Sequence, residues 1–148
     1  MTLAIQHRPK DLSEIFGNKA LVESIETIMS RKSDFPHAIL LAGPTGCGKT
    51  TLARIIGNLL DSENIEEFNM ANTRGIDTIR NLDEACRYLP LMGHTRVYIF
   101  DEVARQTKDA QVTLLKLLED PPDHAYFTLC TTDPEQLLPT VRGRCHTY

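Results

Sequence analysis

Eight consecutive residues, Gly43-Pro44-Thr45-Gly46-Cys47-Gly48-Lys49-Thr50, have the types and spacing to do chemistry. A phosphate chain needs several N–H donors close together, and side chains would hold the backbone away from it. Glycines remove that obstacle, so successive backbone N–H groups can turn inward as a nest. In the pattern G-x-x-x-x-G-K-[ST], Lys49 puts an ammonium on the β- and γ-phosphates and the Thr50 hydroxyl ligates Mg²⁺. Pro44, Thr45, Gly46, Cys47, Gly48 and Thr51 belong to the same turn and its exit. A helix opening here would add its positive end.

A second acidic centre lies about fifty residues on, where the apolar run Val97-Tyr98-Ile99-Phe100 ends in Asp101-Glu102. Asp101 fits the acid that holds Mg²⁺ through its water shell. Glu102 fits the base that orients and deprotonates an attacking water. Standing alone, the pair reads as a turn cap and a solvated acid. Downstream of a complete phosphate loop it reads as the other half of a Mg-nucleotide site. Hydrolysis loads charge onto the transferred phosphoryl oxygens, so a polar sensor and an arginine are also expected. Thr131-Thr132 and Arg144 are the candidates. By spacing alone they fit equally a satisfied turn and a solvated surface arginine.

These groups need elements to position them. His37–Ala42 is a short apolar run ending at the loop, and Leu52, Ile55, Ile56, Leu59 and Leu60 recur beyond it at helical spacing. Upstream, Leu21, Val22, Ile25, Ile28 and Met29 predict a helix over 19–31, with Asn18 as its cap. Ile65–Met70 reads as a second strand. Ile76, Ile79, Leu82, Cys86 and Leu89 predict a helix ending at Pro90. Thr107 caps a helix whose buried face carries Leu114, Leu115, Leu117 and Leu118, and Pro121-Pro122 stops it. Tyr126–Thr131 is a fourth strand, Asp133-Pro134 begins a short helix or turn, and Cys145–Tyr148 begins a fifth strand. Strands alternate with helices, so the fold class is α/β, a parallel sheet with helices on both faces. In such sheets ligands bind at the carboxyl ends of the strands, the edge that both motifs share.

The 148 residues suit one domain with a substantial core. A net charge of −4 argues against indiscriminate nucleic-acid binding without excluding a local basic stripe. No stretch is apolar enough for a bilayer, and the N-terminus lacks the h-region of a signal peptide, so a cytoplasmic location is expected. Cys47, Cys86, Cys130 and Cys145 are too scattered for a zinc site, and Cys130 and Cys145 read as small buried strand residues.

Taken together, these motifs resemble the AAA+ ATPases, and among them the sliding-clamp loaders, of the type of the bacterial gamma/tau subunit and the small subunits of replication factor C. The resemblance covers almost the whole chain. Arg8-Pro9 and Ile15-Phe16-Gly17-Asn18 look like the family's amino-terminal segment near the adenine. Asn72–Arg80 resembles the stretch before its third helix, and Leu114–Pro122 the helix after the acidic strand. Thr131-Thr132-Asp133-Pro134 is similar to the bacterial sensor stretch and puts the sensor on Thr132. Val141-Arg142-Gly143-Arg144-Cys145 is similar to the Ser-Arg-Cys motif, whose arginine reaches the neighbouring subunit's ATP. Gly143 stands where that motif has serine, and the bacterial subunit's cysteine-rich module is missing.

The resemblance implies a P-loop NTPase core that binds ATP and Mg²⁺ and hydrolyses ATP to load a ring-shaped clamp on primer–template DNA. Its partners would be the other loader subunits, the clamp and the DNA. Arg74, Arg80, Arg105 and Lys108 lie where the family approaches the duplex backbone; a solvated helix face is the plain alternative. The family's helical lid and collar are not within 1–148, so a nucleotide-binding core belonging to a longer subunit is expected. Two other readings stay open: a different AAA+ motor, such as a helicase loader or branch-migration motor, and a nucleotide-switched scaffold that does not hydrolyse.

Overall fold

The computed structural model describes residues 12–14, 19–31, 35–60, 63–71 and 76–148. Five strands form one parallel sheet: β1 (Ala38–Ala42), β2 (Ile65–Asn69), β3 (Arg96–Asp101), β4 (Ala125–Thr131) and β5 (His146–Thr147), in the order β2-β3-β4-β1-β5. The helices are α1 (Lys19–Met29), α2 (Lys49–Leu59), α3 (Ile76–Cys86), α4 (Lys108–Glu119) and α5 (Pro139–Gly143). Register brings Leu41 beside Cys130, Asn69 beside Asp101 and Ile39 beside His146.

Both faces of the inner strands are buried, which is why they read as unbroken apolar runs rather than alternating ones. Alternation along each strand still decides which face a residue joins. Leu40, Tyr98, Phe100, Phe127 and Leu129 meet Ile79 and Leu82 of α3, Leu114 and Leu117 of α4, and Val141 of α5. Tyr98 and Phe127 stack at 5.6 Å. On the other face, Ile39, Leu41, Val97, Ile99 and Cys130 meet Ile25 of α1 and Leu52, Ile55 and Ile56 of α2. Burying each large side chain contributes about 1.5–3 kcal/mol before entropy. Helix α2 lies so close to the sheet that a Cβ on Gly57 would sit 3.0 Å from Ile65 Cδ1 and 3.4 Å from Val97 Cγ1. Thr107 caps α4 as expected, its hydroxyl accepting from Ala110 N at 3.2 Å.

Three local expectations change. Helix α3 ends at Cys86, not at Pro90. The amides of Arg87 and Tyr88 bond three residues back, to Glu84 O and Ala85 O, and the His124 ring takes the Cys86 carbonyl at 2.7 Å. Leu89 therefore leaves the apolar stripe and is 73 % exposed. Cys145 is not in a strand: it occupies the bend before β5, half-buried, with its thiol donating to Val141 O. Helix α5 arises where periodicity is silent, because Pro139 opens a single short turn anchored by the buried Val141. Among the described residues no helix is long and apolar enough to cross a membrane.

Candidate nucleotide-hydrolysis site

Strand β1 delivers the loop and helix α2 leaves it, so Gly43–Gly48 stands at the carboxyl edge of the sheet. Gly46 (φ 80°) and Gly48 (φ 93°) both take left-handed backbone, which turns the chain back on itself. An added Cβ on either would meet nothing within 4 Å, so space lies open beside both glycines. Lys49 reaches back over it, Nζ donating to Gly43 O and Pro44 O at 2.8 Å each. The loop is tied to its neighbour strand by Gly43 N donating to Thr131 O at 3.2 Å.

Fifty-one residues apart in sequence, Thr50 and Asp101 meet: Thr50 Oγ1 donates to Asp101 Oδ2 at 3.1 Å. Both are half-buried. Asp101 Oδ1 accepts from Glu102 N at 3.1 Å, so the carboxylate is held at both oxygens. Glu102 has φ 56° and is the one described non-glycine residue in left-handed backbone. That conformation costs an L-residue about 1–2 kcal/mol, and strain of this kind collects at functional sites. An open left-handed loop with an ammonium, beside a hydroxyl–carboxylate pair of hard oxygen donors, fits a Mg-nucleotide.

A step further along α2, Arg54 clamps Glu67 of β2 through Nε–Oε2 at 2.8 Å and Nη2–Oε1 at 2.6 Å. The Glu67 hydrogen bond, helped by the charges of Glu67 and Asp101, raises the Arg54 pKa further against the opposing effect of burial. This ion pair is not singled out by the sequence pattern.

Beyond β4, Thr131 is buried and its hydroxyl accepts from Asp133 N at 3.0 Å, closing a turn. Thr132 is half-buried at the same edge, with no hydrogen-bond partner for its hydroxyl among the described residues. Arg144 lies elsewhere. It precedes β5 by two residues, and β5 begins opposite Ile39, near the start of β1. A five-residue strand is about 16 Å long, so Arg144 sits at the amino edge, away from its own phosphate loop. Its Nη2 touches Glu119 Oε1 at 3.4 Å. Arg80, Arg105 and Lys108 are exposed. Arg8, Pro9, Ile15, Phe16, Gly17 and Arg74 lie outside the described residues.

Two glutamines complete the surroundings. Gln106 Nε2 donates to Met70 O at 2.8 Å, just past β2. Gln111 Nε2 donates to Gln106 O at 3.2 Å, and its Oε1 accepts from Leu138 N at 2.8 Å. The available signal was Gln111 itself, a polar residue three and seven positions before Leu114 and Leu118 on the buried face of α4.

Comparison with known proteins follows the same lines. The family model "DNA polymerase III, delta subunit" matches residues 59–148, and that of magnesium chelatase subunit ChlI matches residues 11–93. DNA polymerase III subunit gamma/tau of Mycobacterium tuberculosis is 31% identical over 173 residues, covering 100% of this chain and 30% of the relative. Subunit gamma of Buchnera aphidicola subsp. Schizaphis graminum is 34% identical over 166 residues, covering 97% of this chain and 46% of the relative. The chain thus spans less than half the length of these relatives. Among solved structures, the RuvB Holliday junction branch migration motor of Thermotoga maritima superposes with a TM-score of 0.76 at 28% identity, over 95% of this chain and 47% of that one. A gamma subunit-related protein of the same organism superposes at 0.68 over 84% of this chain and 44% of that one; at 22% identity it shows the fold alone. By its loop, its acidic strand and this likeness, the chain belongs to the DNA polymerase III delta-type family of AAA+ ATPases, the sliding-clamp loaders.

Proposed function

We propose that residues 1–148 are the ATP-binding and hydrolysing core of a clamp-loader subunit. The observation that carries this is the 3.1 Å contact between Thr50 and Asp101, which joins the phosphate loop to the acidic strand at one edge. ATP is the substrate. Backbone N–H groups of Gly46–Thr50 would hold its β- and γ-phosphates, and Lys49 would leave the Gly43 and Pro44 carbonyls for phosphate oxygens of opposite charge. Mg²⁺, held by Thr50 and Asp101, would neutralise charge on those oxygens. Glu102 would accept the proton of the attacking water as its oxygen reaches the γ-phosphorus and ADP departs. The Thr132 hydroxyl would donate to the γ-phosphate. Arg144, too far from its own loop, would serve the nucleotide of an adjoining subunit.

Two surfaces support the partner side of the reading. Tyr88 (73 %), Leu89, Leu91 (102 %) and Met92 are the main exposed cluster of large apolar side chains among the described residues. Such patches mark protein contacts. Tyr88 also lines an open concavity of about 700 Å³ with Asn81, Glu84, Ala85, Arg87 and Arg96, which suits an apolar and acidic segment of a ring clamp. Arg80, Arg105 and Lys108 would touch the backbone of primer–template DNA without reading its sequence. Full-length gamma/tau relatives at 31% identity favour this over a branch-migration motor, and the strained Glu102 favours hydrolysis over a passive scaffold.

The test is Glu102→Gln in the assembled loader. ATP binding should persist, while turnover falls by about 10²–10⁴-fold, the range for loss of a general base. Undiminished hydrolysis would remove Glu102 from the role.

A further inference from the structure

Arg144 and Glu119 face each other across the amino edge, and each is rooted in rigid structure. Glu119 is the last residue of α4, held by the buried Leu117 and Leu118 before it, and Pro121-Pro122 prevents the helix from continuing after it. Arg144 follows the buried Val141; its N–H donates to Val141 O at 3.1 Å, and two residues later the chain enters β5. Both backbones are therefore fixed, and the side chains are the parts left to move. Their side chains are 45 % and 53 % exposed, and the contact between them is a single one of 3.4 Å through Nη2.

A second arginine in the molecule gives the measure. Arg54 grips Glu67 with two contacts, at 2.8 and 2.6 Å, the fork geometry that consumes the guanidinium. Arg144 spends one terminal nitrogen on a long contact, and its Nε and Nη1 have no partner among the described residues. A pair like Arg54–Glu67 holds; a pair like Arg144–Glu119 points without holding.

We propose that Glu119 is a positioning residue for Arg144, aiming the guanidinium off the amino edge so that its remaining donors meet a phosphate bound by an adjoining subunit. This rests on the reading of Arg144 as the arginine given to that neighbour. Glu119 touches no nucleotide itself and acts through Arg144. The pair is exposed, so the expected effect is modest and weakens as salt screens the charges.

The experiment is a double-mutant cycle on turnover in the assembled loader, with Glu119→Ala, Arg144→Ala and both together. Glu119→Ala should lower kcat roughly two- to fivefold, the span of an exposed ion pair, while KM for ATP stays within twofold. The loss should shrink at high salt and vanish in the Arg144→Ala background. Glu119→Gln, which keeps the hydrogen-bond acceptor and the helix end, should recover part of the rate. The same loss from Glu119→Ala with and without Arg144 would overturn the proposal, as would no loss at all beside a strong Arg144→Ala effect. A silent Arg144→Ala would overturn it differently, by removing the arginine from catalysis altogether.

Discussion

The carboxyl and amino edges of this sheet are built on opposite principles. At the carboxyl edge, groups are locked by backbone. Gly48 and Glu102 sit at φ 93° and 56°, Asp101 is held at both oxygens, and Thr50 is fixed to it at 3.1 Å. At the amino edge side chains reach out: Arg144 sits at φ −91°, Gly93 turns the neighbouring loop at a φ of 75° that glycine takes freely, and Tyr88, Leu89, Leu91 and Met92 are bare to solvent. Chemistry on a phosphate tolerates placement errors of about half an ångström, which left-handed backbone and a carboxylate held at both oxygens can enforce. Contact with another molecule needs reach, which they would forbid. On the function proposed above, the difference teaches that one sheet would separate what acts on its own nucleotide from what is offered to others.

The largest expected effect tests the offered side. Arg144→Ala should leave ATP binding by its own chain intact and lower turnover in the assembled loader by about 10³-fold or more, toward the span known for arginine fingers. Loss of ATP affinity in the isolated variant would put Arg144 on its own site and erase the distinction between the edges. Next comes Leu91→Asp. A charge on a fully exposed apolar tip should leave folding unchanged and weaken clamp binding about tenfold or more, the cost of losing an interface anchor. Titration of the clamp against the variant loader measures it, and equal affinity would take the apolar loop out of the docking surface.

A smaller effect probes the locked side. Beside the loss of the base, Glu102→Gly should raise stability by up to about 1 kcal/mol, because left-handed strain is relieved and the gain is partly offset by glycine's greater unfolded-state freedom. A denaturant midpoint that falls instead would show that Glu102 is not strained. The smallest effect concerns thiols. Burial pushes Cys130 and Cys145 up to about 12, whereas Cys47 is exposed in the phosphate loop. At pH 8 an alkylating reagent should modify Cys47 first, with Mg-ATP protecting it, and reach Cys130 only on unfolding. The buried thiols have raised pKa values in the fold. Their contribution to stability is complete below the ordinary thiol value of 9.0 and drains away as pH climbs toward about 12. Stability that rose over that window would contradict the burial.

Much of the locked edge was legible beforehand. Glycine spacing, the run Val97–Phe100 ahead of two acids, and the Thr107 cap are local signals, and local signals survive in a string of residues. The alternation of strands and helices was enough for a parallel two-faced sheet. Leu89 was misread because it continues a helical repeat, and only the His124 ring on the Cys86 carbonyl shows where α3 stops. The short α5 was illegible, since five residues carry no period. Gln111 looked like an ordinary helix position until burial and its bonds to Gln106 and Leu138 appeared.

By itself, the sequence determined the chemistry on offer: a phosphate loop, two acids, a threonine and an arginine, each on a recognisable kind of element. Their types and spacings are written in the chain because backbone conformation and side-chain pKa begin as local properties. The edge shared by the loop and the acids followed from a parallel sheet; only the tertiary structure decided which groups touch there and where Arg144 falls. Thr50 met Asp101 through the order β2-β3-β4-β1-β5, and Arg144 fell to the far side because β5 pairs with the start of β1. Strand order and register are settled by packing energy summed over residues far apart in the chain, and no local pattern contains that sum.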